Sequence, residues 1–131
     1  MKVVIQRVQS AQVSVEKEIT GQIETGLLLL VGIEDADGED DITWLSKKIL
    51  NMRIFPDDEK PMNRSVQDIS GQLLVVSQFT LHASTKKGNR PSFVKAAAPE
   101  KARLLYEKLI DRLKIESALP VESGRFGKMM E

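Results

Sequence analysis

The stretch LLVVSQFTL, residues 73 to 81, constrains the fold of this chain more than any other. By the two-residue side-chain period of a strand, Leu73 and Val75 fall on one face and Leu74 and Val76 on the other. A strand that is apolar on both faces belongs in the core. The same period puts Ser77, Phe79 and Leu81 on the first face and Gln78, Thr80 and His82 on the second, so polar groups interrupt both faces at one end. Hydroxyls and an amide held at the end of a rigid sheet can line a cleft and hydrogen-bond a polar substrate. A strand that simply reaches solvent there accounts for the pattern equally well.

The rest of the chain supplies what surrounds this strand. Val3, Val4, Ile5, Val8, Val13 and Val15 mark two β-rich runs, and residues 20–23 and 27–33 mark two more, punctuated by Gly21 and Gly26. The acidic loop EDADGEDD, residues 34–41, leads into ITWLSKKILNM, where Ile42, Leu45 and Ile49 recur at helical spacing. Glu39 to Asp41 lie near the positive end of that helix, Lys47 and Lys48 near its negative end. RIF at 53–55 is predicted as a short strand, and the polar loop PDDEKPMNRSVQDISG that follows is long enough to suggest function. A strand is predicted from Gln72 to Leu81. Pro99 suits the first turn of a second helix, with Ala102, Leu105, Leu109 and Leu113 as its buried stripe and Lys101, Arg103, Lys108 and Arg112 facing water. Pro120 ends it, and VESGRFGKMME is predicted to run extended to Glu131. The order predicts a single-domain α/β fold over residues 1–131: a mixed, mostly antiparallel or barrel-like sheet packed with two main helices, not regular βαβ winding.

Composition narrows the function. A chain of 131 residues with 41% hydrophobic content fits one core. Lys plus Arg equals Asp plus Glu at 19 each, so no whole-molecule field draws in polyanions and any nucleic-acid contact is local. The absence of cysteine excludes disulfides and thiolate sites, and a single histidine argues against a protein-only zinc site. No metal and no cofactor are expected. LLLLVGI, residues 27–33, is far short of the roughly 20 apolar residues of a membrane helix, and Gln6 and Arg7 interrupt any secretory signal. The expected compartment is the cytoplasm, with no membrane partner.

Several residues invite chemistry. On a strand, Thr80 and His82 would share a face about 7 Å apart, and a hydroxyl beside an imidazole is a nucleophile pair in principle. No carboxylate is placed to orient the ring, however, and His82 is read as an exposed loop histidine. STKKGNRPSF groups Lys86, Lys87 and Arg90 around Gly88 with Phe93 nearby, a pattern that suits phosphate contact and base stacking, or a solvated hairpin. The Asp spacing of loop 34–41 fails the EF-hand pattern, so it is read as a loop and helix start, without calcium. Arg7 in a β-rich run, by itself, marks only an edge position.

SQFTL, with LLVV before it and RPSF at 90–93 after it, resembles the signature of the D-aminoacyl-tRNA deacylases. MKVVIQRV, TGQIETGLLLLVGI, RIFPD with PMN at 61–63, and SGRFGKMM at 123–130 agree with it, in order along the chain. The resemblance implies a cytoplasmic homodimer that hydrolyses the ester between a D-amino acid, or glycine, and the terminal adenosine of tRNA, as chiral proofreading of translation. It implies an aminoacyl pocket lined by Ser77, Gln78, Phe79 and Thr80, with Ser77, Gln78 and Thr80 as the catalytic group. Phe126 and Met130 would pack on the terminal adenine, and Arg7 would lie near a pocket shared across the dimer. Arg90 and Pro91, with the basic loop, would face the 3′ end of the aminoacyl-tRNA; no metal is required. Two mechanisms are open: Thr80 as nucleophile or activator, or the ribose hydroxyl of the tRNA and a pocket water, with the protein positioning and supplying oxyanion donors. The lack of a base beside Thr80 favours the second. The family's second signature, an Asn-x-Gly-Pro-x-Thr strand that enters the partner's pocket in relatives and excludes L-amino acids, does not occur in residues 1–131, which are expected to be a shortened form of the domain. The competing expectations are a non-catalytic nucleic-acid-binding module on the same fold and a non-catalytic dimeric scaffold.

Overall fold

The computed structural model describes residues 1–131. Its main sheet contains β1 (Lys2–Val8), β4 (Gly26–Gly32), β5 (Gln72–Ser77) and β6 (Val121–Ser123), in that spatial order. β2 (Ala11–Val15) and β3 (Glu18–Ile23) form a separate antiparallel ribbon. Two helices, α1 (Glu39–Asn51) and α2 (Pro99–Glu116), complete three layers: ribbon, sheet, helices. The mixed sheet and two main helices match the sequence reading, but the pairings divide evenly. β1 and β4, like β2 and β3, run antiparallel, while β5 is parallel to both β4 and β6. Parallel neighbours need a long crossover, and α1 and α2 supply the two required here.

The two-faced apolar run is buried as the sequence predicts. Leu73 and Val75 join Leu27, Leu29 and Val31 against Ile49, Leu105, Leu109 and Leu113 of the helices. Leu74 and Val76 meet Val13 and Ile23 of the ribbon on the other face. Tyr106 is buried among the helix-side residues and its hydroxyl donates to the Val75 carbonyl at 2.7 Å. Burial pushes its phenol above the usual tyrosine range, so it remains a donor. Val75 also accepts from the Gly124 N–H, so Tyr106→Phe leaves that carbonyl bonded. Its expected cost is therefore about 1 kcal/mol in urea unfolding; a loss above about 3 kcal/mol would show that the hydroxyl does more than satisfy a carbonyl.

Several elements differ from their sequence reading. RIF forms no strand; Phe55 makes an isolated bridge to Arg64. The polar loop after it is organised by its own aspartates. Asp57 accepts from Asn63 and from the N–H groups of Lys60 and Glu59, which hold its carboxyl below the usual aspartate range. Asp68 accepts from the Ser65 N–H at 2.8 Å, and Val66 between these turns is fully buried. The loop is thus accounted for by structure. Of the four α2 cations expected to face water, only Arg103 is well exposed. Lys101 bonds the Asp35 carbonyl, Lys108 reaches Glu39 at 2.7 Å and Arg112 reaches Thr43 at 3.3 Å, stitching α2 to α1 and the loop before it. The last segment is extended only through β6; it turns at Gly127, and Glu131 exchanges two backbone hydrogen bonds with Ser14 of β2. No helix is long and apolar enough to cross a membrane.

Candidate active site

The predicted strand Gln72–Leu81 stops at Ser77. Ser77 pairs with Val31, and the N–H of Gln78 donates to the Val31 carbonyl at 2.7 Å as the last rung. The chain then folds back over the end of β4 as a 3-10 turn, Phe79–His82, closed in part by the Leu81 N–H on the Gln78 carbonyl at 3.3 Å. Gly32 at the end of β4 makes room for it. The turn presents Phe79 to solvent at 60% exposure and leaves Ser77, Gln78 and Thr80 half-buried. The Gln78 amide donates to the Thr80 hydroxyl. The hydroxyl's own proton remains free for an acceptor. The first N–H groups of a 3-10 turn have no partner within it and are left as main-chain donors.

The 3-10 turn also corrects the reading of His82. Residues two apart on such a turn do not share a face, so Thr80 and His82 cannot form the pair that a continued strand would have made. His82 is not an exposed loop residue but 5% exposed, with Nδ1 3.7 Å from a Glu34 carboxylate oxygen. Lys2, absent from the sequence-derived candidates, donates to the Leu81 carbonyl at 3.2 Å.

The two signature segments meet. Phe79 and Phe93 pack edge to face, ring centres 5.2 Å apart. Ser84 and Ser92 exchange backbone hydrogen bonds at 2.8 Å, closing a loop whose exposed arm carries Lys86, Lys87, Arg90 and Pro91. The arrangement places an exposed aromatic edge and a basic loop beside the polar strand end.

Three other candidates take other positions in the fold. Arg7 pairs with Leu27, which pairs with Leu73, so Arg7 is at the opposite end of the sheet from Ser77, offset by roughly 13 Å along the strand direction at ~3.3 Å per residue and two strands across. Its guanidinium bonds the Ile54 carbonyl at 2.8 Å. Phe126 is on the helix side, 5.7 Å from the Tyr106 ring, with the Arg103 guanidinium 5.8 Å from its own ring centre. Met130 packs instead with the ribbon-side cluster of Val13, Ile23, Leu74 and Val76. Phe126 and Met130 therefore belong to opposite faces of the sheet. Two concavities of the helical layer, about 190 Å³ around Glu39, Lys108 and Arg112 and about 430 Å³ beside Trp44 and Met52, contain none of these residues. Two carboxylates of the acidic loop are engaged near the helix start: Asp37 meets the Met1 ammonium and the Glu34 N–H, and Asp41 accepts from the Gly38 N–H.

Comparison with known proteins gives this site its context. A family model described as D-Tyr-tRNA(Tyr) deacylase matches residues 4–131. Proteins named D-aminoacyl-tRNA deacylase from Flavobacterium psychrophilum and an Exiguobacterium species are 54% and 52% identical over all 131 residues, which cover 87% and 88% of those relatives. A solved structure named c-Myc DNA Unwinding Element Binding Protein superposes with a TM-score of 0.94 at 35% identity, covering all of this chain and 89% of that one. A second, from a structural analysis of a probable eukaryotic D-amino acid tRNA deacylase, shares the fold at a TM-score of 0.83 and 17% identity over 98% of this chain and 90% of that one. With about half of its residues identical to these relatives from end to end, the chain belongs to the D-aminoacyl-tRNA deacylase family.

Proposed function

We propose that this chain hydrolyses the ester joining a D-amino acid, or glycine, to the 3′ end of tRNA, releasing amino acid and tRNA as chiral proofreading of translation in the cytoplasm. The observation that carries this reading is the family match over residues 4–131. The reaction needs water attack on an activated ester, with the developing negative oxygen stabilised and the D-configured substrate held fixed. Ser77, Gln78, Thr80 and the main-chain donors of the 3-10 turn form the floor of the aminoacyl site, with Phe79 at its edge. Phe126 contributes apolar surface for the terminal adenine, while Arg90, Pro91 and the basic loop lie toward the phosphates. Arg7 and Met130 would need to serve through another surface. A homodimer that brings one protomer's Arg7 to its partner's Ser77 end satisfies this for Arg7.

Thr80 is bonded to an amide, with no base beside it, which favours the mechanism using the ribose hydroxyl of the tRNA and a bound water. Thr80→Ala should accordingly retain single-turnover deacylation to within about tenfold; disappearance of hydrolysis would instead assign the threonine hydroxyl a chemical role. The function itself is tested with matched D- and L-aminoacyl-tRNA: loss of the D-ester well above its spontaneous rate, and faster than the L-ester, is expected. The name of the DNA-binding structural relative favours one second reading, a nucleic-acid-binding module without turnover. Binding of tRNA with neither ester cleaved would select it.

A further inference from the structure

We propose that His82 is a positioning residue: its buried imidazole, seated on Gly32 and facing Glu34, fixes the 3-10 turn that bears Phe79 and Thr80 in the geometry the deacylase reading requires. The inference rests on that reading for its catalytic consequence, and on packing for its physical content. His82 is the last residue of the turn and its side chain is 2% exposed. Its Nδ1 lies 3.7 Å from the Glu34 carboxylate, while its Nε2 is buried without a hydrogen-bond partner. A buried polar atom with no partner is unfavourable, and an apolar side chain of similar size would avoid it. What the imidazole adds beyond volume is the Nδ1 contact.

That contact joins two parts of the site. Glu34 makes a backbone bridge to Ala96, whose N–H donates to the Phe93 carbonyl at 3.0 Å. Glu34 is itself held by its N–H on Asp37 at 2.7 Å. His82 thus ties the turn carrying Phe79 to the segment carrying Phe93, and the two rings meet 5.2 Å apart. On the other side of the turn, Lys2 holds the Leu81 carbonyl. Because His82 and Thr80 point to different sides of the turn, His82 acts through the backbone and does not touch substrate.

Three variants of the full chain decide this. His82→Phe keeps a buried ring and removes its nitrogens; His82→Asn places an amide nitrogen near the position of Nδ1; Glu34→Ala removes the carboxylate from a side chain that is 38% exposed. With D-aminoacyl-tRNA in single-turnover and steady-state assays, His82→Phe and Glu34→Ala are expected to lower kcat roughly tenfold to hundredfold with KM unchanged within about twofold, and His82→Asn to recover most of it. The double variant should be no worse than either single variant, as for two ends of one contact. Amide hydrogen exchange should quicken over residues 79–82 in His82→Phe and Glu34→Ala, and not in His82→Asn. Unchanged kcat and exchange in Glu34→Ala would overturn the inference, as would equal losses of kcat and thermal stability in all three variants, which mark a core side chain only. If His82→Phe does not fold, Glu34→Ala and His82→Asn still decide. If the wild-type chain leaves D-aminoacyl-tRNA intact, the deacylase reading fails, and the exchange pattern alone establishes or refutes the anchoring of the turn.

Discussion

Gly26→Ala is expected to leave little folded protein. Gly26 opens β4, where it pairs with Val8 on one side and Gln72 on the other. A Cβ there would sit 1.8 Å from the Gln72 carbonyl oxygen, 2.6 Å from its nitrogen and 2.7 Å from its carbonyl carbon. All three are backbone atoms, so no rotamer change relieves the overlap, and β4 and β5 must separate at their first rung. Separation breaks the Gln72 N–H bond to the Thr25 carbonyl and strains that from Leu73 to Pro120, both 3.0 Å. It also opens the core at Leu27 and Leu73, both fully buried. The expected loss is about 4 kcal/mol or more, a large share of the ~5–15 kcal/mol that holds a domain of this size together. Urea unfolding of the soluble fraction measures it; a loss below about 1 kcal/mol would mean that the start of the sheet adapts freely to a methyl group.

How much of this was legible in the sequence depends on how local each cause is. The burial of Leu73 to Val76 on both faces follows from four adjacent side chains, and the long α2 follows from its own leucine spacing with Pro99 in its first turn. The end of β5 was not legible, because Ser77 stops the strand for a reason that lies across the sheet. Gly32 lets the chain fold back over β4, and no property of SQFTL announces that. His82 was misplaced for the same reason: its burial is supplied by Gly32 and Glu34, distant in sequence. The separation of Arg7 from Ser77 required the strand register, and that of Phe126 from Met130 required knowing that Gly127 turns the chain. The loop after Phe55 could have been resolved earlier, since Asp57 and Asp68 stand where side-chain-capped turns need them. SQFTL and RPSF, by contrast, were linked by the family resemblance, and the packing of Phe79 against Phe93 brings the two segments together.

Gly32→Ala is expected to separate stability from activity, which Gly26→Ala cannot do. A Cβ on Gly32 would lie 2.9 Å from the Leu81 Cβ, 3.0 Å from the Gln78 carbonyl oxygen and 3.0 Å from the His82 Cδ2. None of these belongs to a neighbouring strand; all belong to the 3-10 turn or to Gln78, the residue before it. The ladder from Lys2 to Gly32 and from Val31 to Ser77 can therefore survive, while the turn moves off the sheet by a few tenths of an ångström or more. The turn rests on Gly32, and the Gln78 N–H, the Lys2 ammonium and the Glu34 carboxylate contact it elsewhere. Displacing it shifts Phe79 and Thr80 together, and misplacement on the order of 1 Å costs about a hundredfold in rate where catalysis is mainly positioning. The overlap itself costs about 1–2 kcal/mol, because a turn at the rim can give where a ladder cannot. Single-turnover deacylation of D-aminoacyl-tRNA at saturating enzyme, with a thermal melt of the same sample, reads both quantities. A folded variant that retains wild-type rates would detach the 3-10 turn from the chemistry and leave Ser77, at the end of β5, as the part of SQFT still placed to take part in it.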